Sequence, residues 1–113
     1  MKNLEIRRVH ENGRSKADPN LVMVILENGR SENRLAVSVS KKIGNSVVRH
    51  RAKRIVKEAY RACREEWQTG FDIVIIARAG IKNKKSTDME KSLRQLAKRC
   101  KIEKQSEEEQ HRE

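Results

Sequence analysis

The chain has 113 residues, enough for one domain with a modest core, and its 35% apolar and 38% charged residues exclude a large aromatic-rich interior. Its 27 Lys and Arg outnumber 16 Asp and Glu, leaving a formal charge of +11 that points to a polyanionic partner: RNA, DNA or an anionic membrane surface. No signal peptide and no apolar run of spanning length is visible, which excludes a membrane span and sets the expectation of a cytoplasmic protein.

Asn3 to Asn12 reads as a short helix with Leu4, Ile6, Val9 and His10 as its less polar positions. Gly13 then ends it, since glycine accepts the left-handed conformation at a helix end. Asp18-Pro19-Asn20 reads as a turn. Leu21 to Leu26 is a short, β-branched apolar run and is expected to be a buried strand. After the Asn28-Gly29 loop, Leu35, Val37 and Val39 alternate with Ala36, Ser38 and Ser40, the period of a strand with one buried face. These two strands are expected to pair as an antiparallel hairpin.

Lys41 to Ser46 breaks the alternation, and Asn45 or Ser46 is a good N-cap. From Val47 to Trp67 the period is helical, with Val48, Ala52, Ile55, Val56, Ala59, Ala62 and Cys63 on one stripe. Gly70 closes that segment and Phe71 to Ala77 reads as another buried strand. Gly80 to Lys85 is a basic loop. Ser86 or Thr87 caps a last helix, Glu90 completing a capping box with Thr87, and Met89, Leu93, Leu96, Ala97 and Cys100 form its apolar face. Cys63 and Cys100 have no zinc-like spacing and read as reduced packing residues. The order helix, strand, strand, helix, strand, helix implies an α+β fold with helices packed on a small sheet. Residues 1–102 make one domain. The segment 103–113 has five acids and two bases and reads as an acidic disordered tail.

The central helix carries the charge. Between Lys41 and Arg64 there are nine basic residues and one acid, Glu58. Projected at 100° per residue, Arg49, His50, Lys53, Arg54, Lys57, Arg61 and Arg64 spread over the side opposite the apolar stripe, with Arg51 at its flank. Only Glu58 and Glu65 stand four residues after one of these bases, Arg54 and Arg61, where a self-paired solvent helix would alternate acids with bases throughout. A membrane-surface helix would present larger apolar residues than Val and Ala. Arginine favours RNA, because its planar fork grips phosphate at two points and stacks on bases.

The run from Ser38 through Lys41-Lys42-Ile43-Gly44-Asn45 to Arg49-His50-Arg51 and Lys53-Arg54 closely resembles the protein subunit of bacterial ribonuclease P. The resemblance extends from about Asn3 to Arg99 and includes Asp72 to Arg78. It implies a small α/β sandwich with a left-handed βαβ crossover, ribosomal-protein-S5-domain-2-like. It also implies a role: a catalytic RNA, with Mg2+ held mainly by that RNA, removes the 5′ leader of precursor tRNA, and the protein assists without a catalytic residue of its own. By the resemblance, Lys42, Asn45, Arg49, Arg51 and Arg54 contact the catalytic RNA; Lys41, His50 and Arg61 join the RNA-binding set by their place in the basic segment. Lys53 and Lys57 lie near the leader's path. Ile6, His10, Ser15, Val22 and Val24 match a leader cleft between the first helix and the sheet. His50 stands where the family's motif has Asn, and Ile6, His10 and Val24 stand where other members often place aromatics. The partners implied are the catalytic RNA and precursor tRNA, with no membrane and no obligate protein partner.

Two other classes compete. A structural RNA-binding protein, such as a ribosomal component, shares the composition; the long motif argues against it. A protein nuclease needs clustered carboxylates to hold magnesium. Asp18 and Asp72 share no motif and read as turn or surface residues, and the three histidines form no triad pattern.

Overall fold

The computed structural model describes residues 1–104. Helix α1 spans Asn3–Asn12, strands β1, β2 and β3 span Arg14–Ala17, Leu21–Glu27 and Arg34–Ser38, helix α2 spans Ser46–Cys63, strand β4 spans Phe71–Ala77 and helix α3 spans Ser86–Cys100. Short 3-10 turns at Lys41–Ile43, Arg64–Glu66 and Ala79–Ile81 lead into or out of the larger elements.

The four strands form one mixed sheet in the order β1-β2-β4-β3. The expected hairpin is therefore wrong. β2 pairs antiparallel with β1 and β4, and β3 pairs parallel with β4, so β4 inserts between the two strands expected to be partners. β1 escaped the sequence reading because Arg14, Ser15 and Lys16 carry no apolar alternation. An edge strand with charged side chains is a common way to blunt an exposed edge.

The sheet has two covered faces. Ile73 and Ile75 of β4 join Leu21, Met23 and Ile25 of β2 beneath α2 and α3, forming the main core with Ile55, Val56, Leu93 and Leu96. Val24 and Val74 point the other way and pack under Val9 of α1. The apolar residues expected on α3 are all buried. On α2 the stripe is displaced: Tyr60 is buried, while Ala62 and Val48 are exposed. Trp67 lies beyond α2, fully buried, with its ring edge-on to Tyr60 at a centroid distance of 5.6 Å. Burial pushes the thiol pKa of both free cysteines up, so they are unreactive packing groups.

The hand of the β3–α2–β4 unit follows from hydrogen-bond phase. Asn28 N–H donates to the Gly70 carbonyl at 2.9 Å and Arg78 N–H to the Asn20 carbonyl at 2.8 Å. With the β2–β4 register, this commits the backbone groups of Asp72, Val74 and Ile76 to β2, and those of Ile73 and Ile75 to β3. The side chains of Ile73 and Ile75 face α2 and α3. For L-residues seen from that face with β4 running upward, such backbone groups point right. β3 thus lies to the right of β4, and the chain crosses leftward in front of the sheet. The crossover is left-handed, against the general rule and as the family resemblance implies.

Helix ends show local corrections. Gly13 is extended (φ −80°, ψ 163°), not left-handed. Glycine is needed there for space: a Cβ would sit 2.6 Å from the carbonyl oxygens of Val9 and Ile25. Asn45 caps α2 as expected, its Oδ1 accepting from Val48 N–H at 3.0 Å. α3 is closed differently from the expected Thr87–Glu90 box: Asp88 reaches back to accept from Lys85 N–H at 2.8 Å.

Asp72 is not a surface residue. It is 5% exposed. Arg34 donates to both its oxygens at 2.7 Å, and Asn28 donates a third bond at 3.0 Å. Asp18 does behave as a turn residue, accepting from Asn20 N–H and Leu21 N–H at 2.8 Å each. Glu103 and Lys104, assigned to the tail by charge, still hydrogen-bond back to the body through Gln68 and Glu66. Residues 105–113 of the expected tail lie outside the described residues.

Candidate nucleic-acid interface

α2 rides over the core on its apolar stripe and turns its other side to solvent. Ser46, Val47, His50, Arg51, Lys53, Arg54, Lys57 and Arg61 line one continuous trough of about 810 Å³ along that outer side. All are exposed. Among the described residues, no carboxylate forms an ion pair with the basic members of this trough. Elsewhere on the molecule, arginines do find acids: Arg94 bonds Glu66 and Glu90, and Arg34 bonds Asp72 and Glu5. Among the described residues, the cations of the α2 trough find no such partner. The resulting potential is concentrated on one rigid element.

Lys41 and Lys42 extend this face N-terminally, both exposed on the 3-10 turn before Gly44. Gly44 lets that turn lie against α2, since a Cβ there would meet Val48 Cγ1 at 2.8 Å. Arg51 reaches sideways: its Nη2 donates to the Lys84 carbonyl at 2.8 Å. This brings the basic loop carrying Lys82, Lys84 and Lys85 against the helix. The basic loop is visible in the sequence, but nothing in its residues signals this position.

Arg49 departs from the helical projection. It is half-buried, its Nε is shielded from solvent, and that atom has no hydrogen-bond partner among the described residues. With Val39, Ser46, His50 and Lys53 it lines a small hollow of about 120 Å³. Val39 directly follows β3, an edge strand, so Lys53 and His50 stand where the α2 face turns around the sheet edge.

The residues expected to form a cleft are brought together on the opposite face. Ser15 stands across from Val24 in the β1–β2 register. Val24 is 5% exposed, packed with Val9 and Val74 beneath α1, so it forms the inner wall. Ile6 packs against this cluster and His10 is exposed on the same helix. One row along, Ala17, Val22, Ile76 and Ser38 lie side by side across the sheet. Ala17, Val22 and Ile76 remain half-exposed beyond the cover of α1. This row ends at Ser38, three residues before Lys41, so the apolar floor leads towards the cationic turn.

Among the described residues, no group of three or more His, Cys, Asp or Glu side chains is placed to hold a metal ion. Asp18 and Asp72 are occupied by the structural hydrogen bonds given above. The donor set of the described residues does not fit a protein-held magnesium site.

A left-handed βαβ unit that presents its crossover helix as a cationic face, unpaired among the described residues, defines a small basic α+β protein suited to lie against a polyanion. The chain belongs to the ribonuclease P protein family. The family model described as Ribonuclease P matches residues 1–101. The "Ribonuclease P protein component" of Lachnoclostridium phytofermentans is 50% identical over 94 residues, covering 83% of this chain and 81% of that protein. The component of Clostridioides difficile is 41% identical over 102 residues, covering 89% and 90%. The solved structure of the Staphylococcus aureus RNase P protein superposes with a TM-score of 0.81 at 30% identity, covering 92% of this chain and 95% of that one. That of the Thermotoga maritima protein gives 0.75 at 28% identity, covering 83% and 90%.

Proposed function

We propose that this chain is the RNA-binding, non-catalytic subunit of a ribonuclease P, assisting removal of the 5′ leader from precursor tRNA. In this reading α2 lies on the catalytic RNA and the α1–sheet cleft receives the leader. In this reading magnesium belongs to the RNA partner, since no carboxylate cluster among the described residues is placed to hold it. The observation that carries the reading is the α2 trough, whose cations are left without carboxylate partners among the described residues.

Lys41, Lys42, Arg51, Arg54 and Arg61 supply phosphate contacts to the catalytic RNA, with Arg51 held in place by Lys84. A single-stranded leader runs over Val22 and Ile76, leaves the sheet near Ser38, and meets Lys53 at the β3 edge. Without aromatics in the cleft, the floor covers bases by burial rather than stacking, and sequence preference is low.

The test is reconstitution. Protein alone is expected to leave precursor tRNA intact, and cleavage is expected once the cognate catalytic RNA and magnesium are added. If about six phosphates are contacted, affinity for that RNA falls about a thousandfold between low and moderate salt. Robust cleavage by RNA-free protein, or salt-insensitive binding, overturns the reading.

A further inference from the structure

α1 is fixed to the sheet at both ends, and the two fixings differ in kind. At its C-terminal end Gly13 lies in close contact with Val24 and the Ile25 carbonyl. At its N-terminal end the tie is ionic. Arg34, at the start of β3, donates Nε and Nη2 to the two oxygens of Asp72 on β4 at 2.7 Å each, and Nη1 to Glu5 of α1 at 2.5 Å. Glu5 also accepts from Lys2 N–H at 2.8 Å, closing the first turn of α1. One guanidinium therefore joins two strands and a helix, with every arm of its fork engaged.

We propose that Arg34 is a positioning residue for the leader cleft: by bridging Asp72 to Glu5 it sets where α1 sits over the sheet, and hence the cleft's width. The proposal rests on the cleft reading given above. Stabilising the sheet requires only the Asp72 arm. The Glu5 arm leaves the sheet and reaches the one helix on the cleft face. The apolar packing in that half comes from Ile6 of α1 and from Met1 just before it. Leu4, in the same turn as Glu5, is 79% exposed and anchors nothing. Apolar contact is non-directional and tolerates sliding, whereas the single charge-assisted hydrogen bond to Glu5 comes from a guanidinium already fixed in orientation by its two-point contact with Asp72, so it constrains both distance and direction. Removing the Glu5 arm leaves α1 attached but free to shift along Val24 and Val74. The apparent affinity of a ligand falls by the fraction of time its site is correctly formed.

The experiment measures affinity of the protein assembled with its catalytic RNA for precursor tRNA, with and without a leader of several nucleotides. The variants are Glu5→Ala, Glu5→Gln and Arg34→Lys. Glu5→Ala spares the Arg34–Asp72 pair, so the sheet stays intact. It is expected to weaken binding of leader-bearing substrate about fivefold, the loss for a cleft formed about one-fifth of the time, and to leave leaderless tRNA unchanged. Glu5→Gln retains an oxygen for Arg34 and is expected to restore most of the loss. Amide hydrogen exchange should rise in α1 alone in Glu5→Ala. Equal loss on both substrates, or no loss on either, overturns the positioning role. Arg34→Lys decides the matter independently if Glu5→Ala fails to fold: it keeps the charge but cannot make the three-way bridge, and the same leader-specific loss is expected. If the parent protein binds both substrates alike, the cleft reading itself falls, and this role falls with it. Leader dependence that all three variants retain in full sinks the positioning role alone.

Discussion

A Cβ on Gly13 would come within 2.9 Å of Val24 Cγ1. α1 thus ends in contact with the sheet residue that walls the cleft. Gly13→Ala forces the helix end off β2 and is expected to destabilise the protein by about 1–3 kcal/mol, the usual range for overpacking a filled site. Urea denaturation of the two proteins measures it. A stability change below about 0.5 kcal/mol, as for an ordinary surface substitution, removes the close contact as an explanation.

The same contact decides where the cleft accepts an aromatic ring. Val24→Tyr has no room beneath α1 and is expected to lower stability. Val22→Tyr lies in the half-exposed row and offers a stacking surface. A base stacked on an aromatic is worth about 1–3 kcal/mol, so Val22→Tyr is expected to tighten leader-bearing substrate by roughly fivefold or more. Leaderless tRNA is the control, and equal tightening of both substrates argues against stacking in the cleft.

Arg49 and Arg54 separate two roles that the sequence merges. Arg54 is exposed in the trough, so Arg54→Ala is expected to weaken RNA binding and leave the melting temperature unchanged. Arg49 is half-buried, lines a hollow with Val39 and has its Nε shielded from solvent. Arg49→Ala is expected to weaken RNA binding and also cost about 1 kcal/mol of stability, near the centre of the range for point mutants. Thermal melts and filter binding on the same preparations distinguish the two. Equal stability for both variants contradicts the placement of Arg49.

Asn45 caps the helix that carries the interface. Asn45→Ala is expected to cost about 1 kcal/mol and Asn45→Asp to retain the cap. Because the capped turn adjoins Lys41 and Lys42, fraying should also weaken RNA binding. A measurement showing Asn45→Ala as stable as the parent removes the cap as a contributor.

The Glu5–Arg34–Asp72 cluster makes stability depend on pH in acid. The Arg34 guanidinium holds the Asp72 carboxyl below its ordinary value, while Glu5 is held low first by the Lys2 amide and then by Arg34. A carboxylate whose folded pKa is depressed contributes stability above its unfolded pKa, about 3.9–4.3, and loses it as pH falls through the folded value. Unfolding free energy should therefore be flat near neutrality and fall below about pH 4. Asp72→Asn should start from lower stability and show a shallower acid limb. An unchanged acid limb contradicts the cluster's ionic character.

Local pattern determined much of this molecule. The period of 3.6 placed α2 and α3, the apolar runs placed β2 and β4, and the dense bases of α2, broken by Glu58 alone, marked the cationic face. The long motif from Ser38 to Arg54 pointed to the ribonuclease P family. These features lie in neighbouring residues, where side-chain spacing alone reports which face is buried. Tertiary structure decided which strands are partners, because an apolar run states that it is covered and not by what. β4 therefore separates β2 from β3, although the sequence between those two reads as a hairpin loop. β1 is joined to β2 by backbone pairing, and its Arg, Ser and Lys side chains leave no apolar trace in the sequence. Asp72 looked like a surface acid because its partner Arg34 lies 38 residues away. Arg49 looked exposed on an ideal helix because the projection omits the chain after β3 that packs beside it. Burial of a charged group is settled by partners distant in sequence, and only the folded chain brings them within hydrogen-bonding reach.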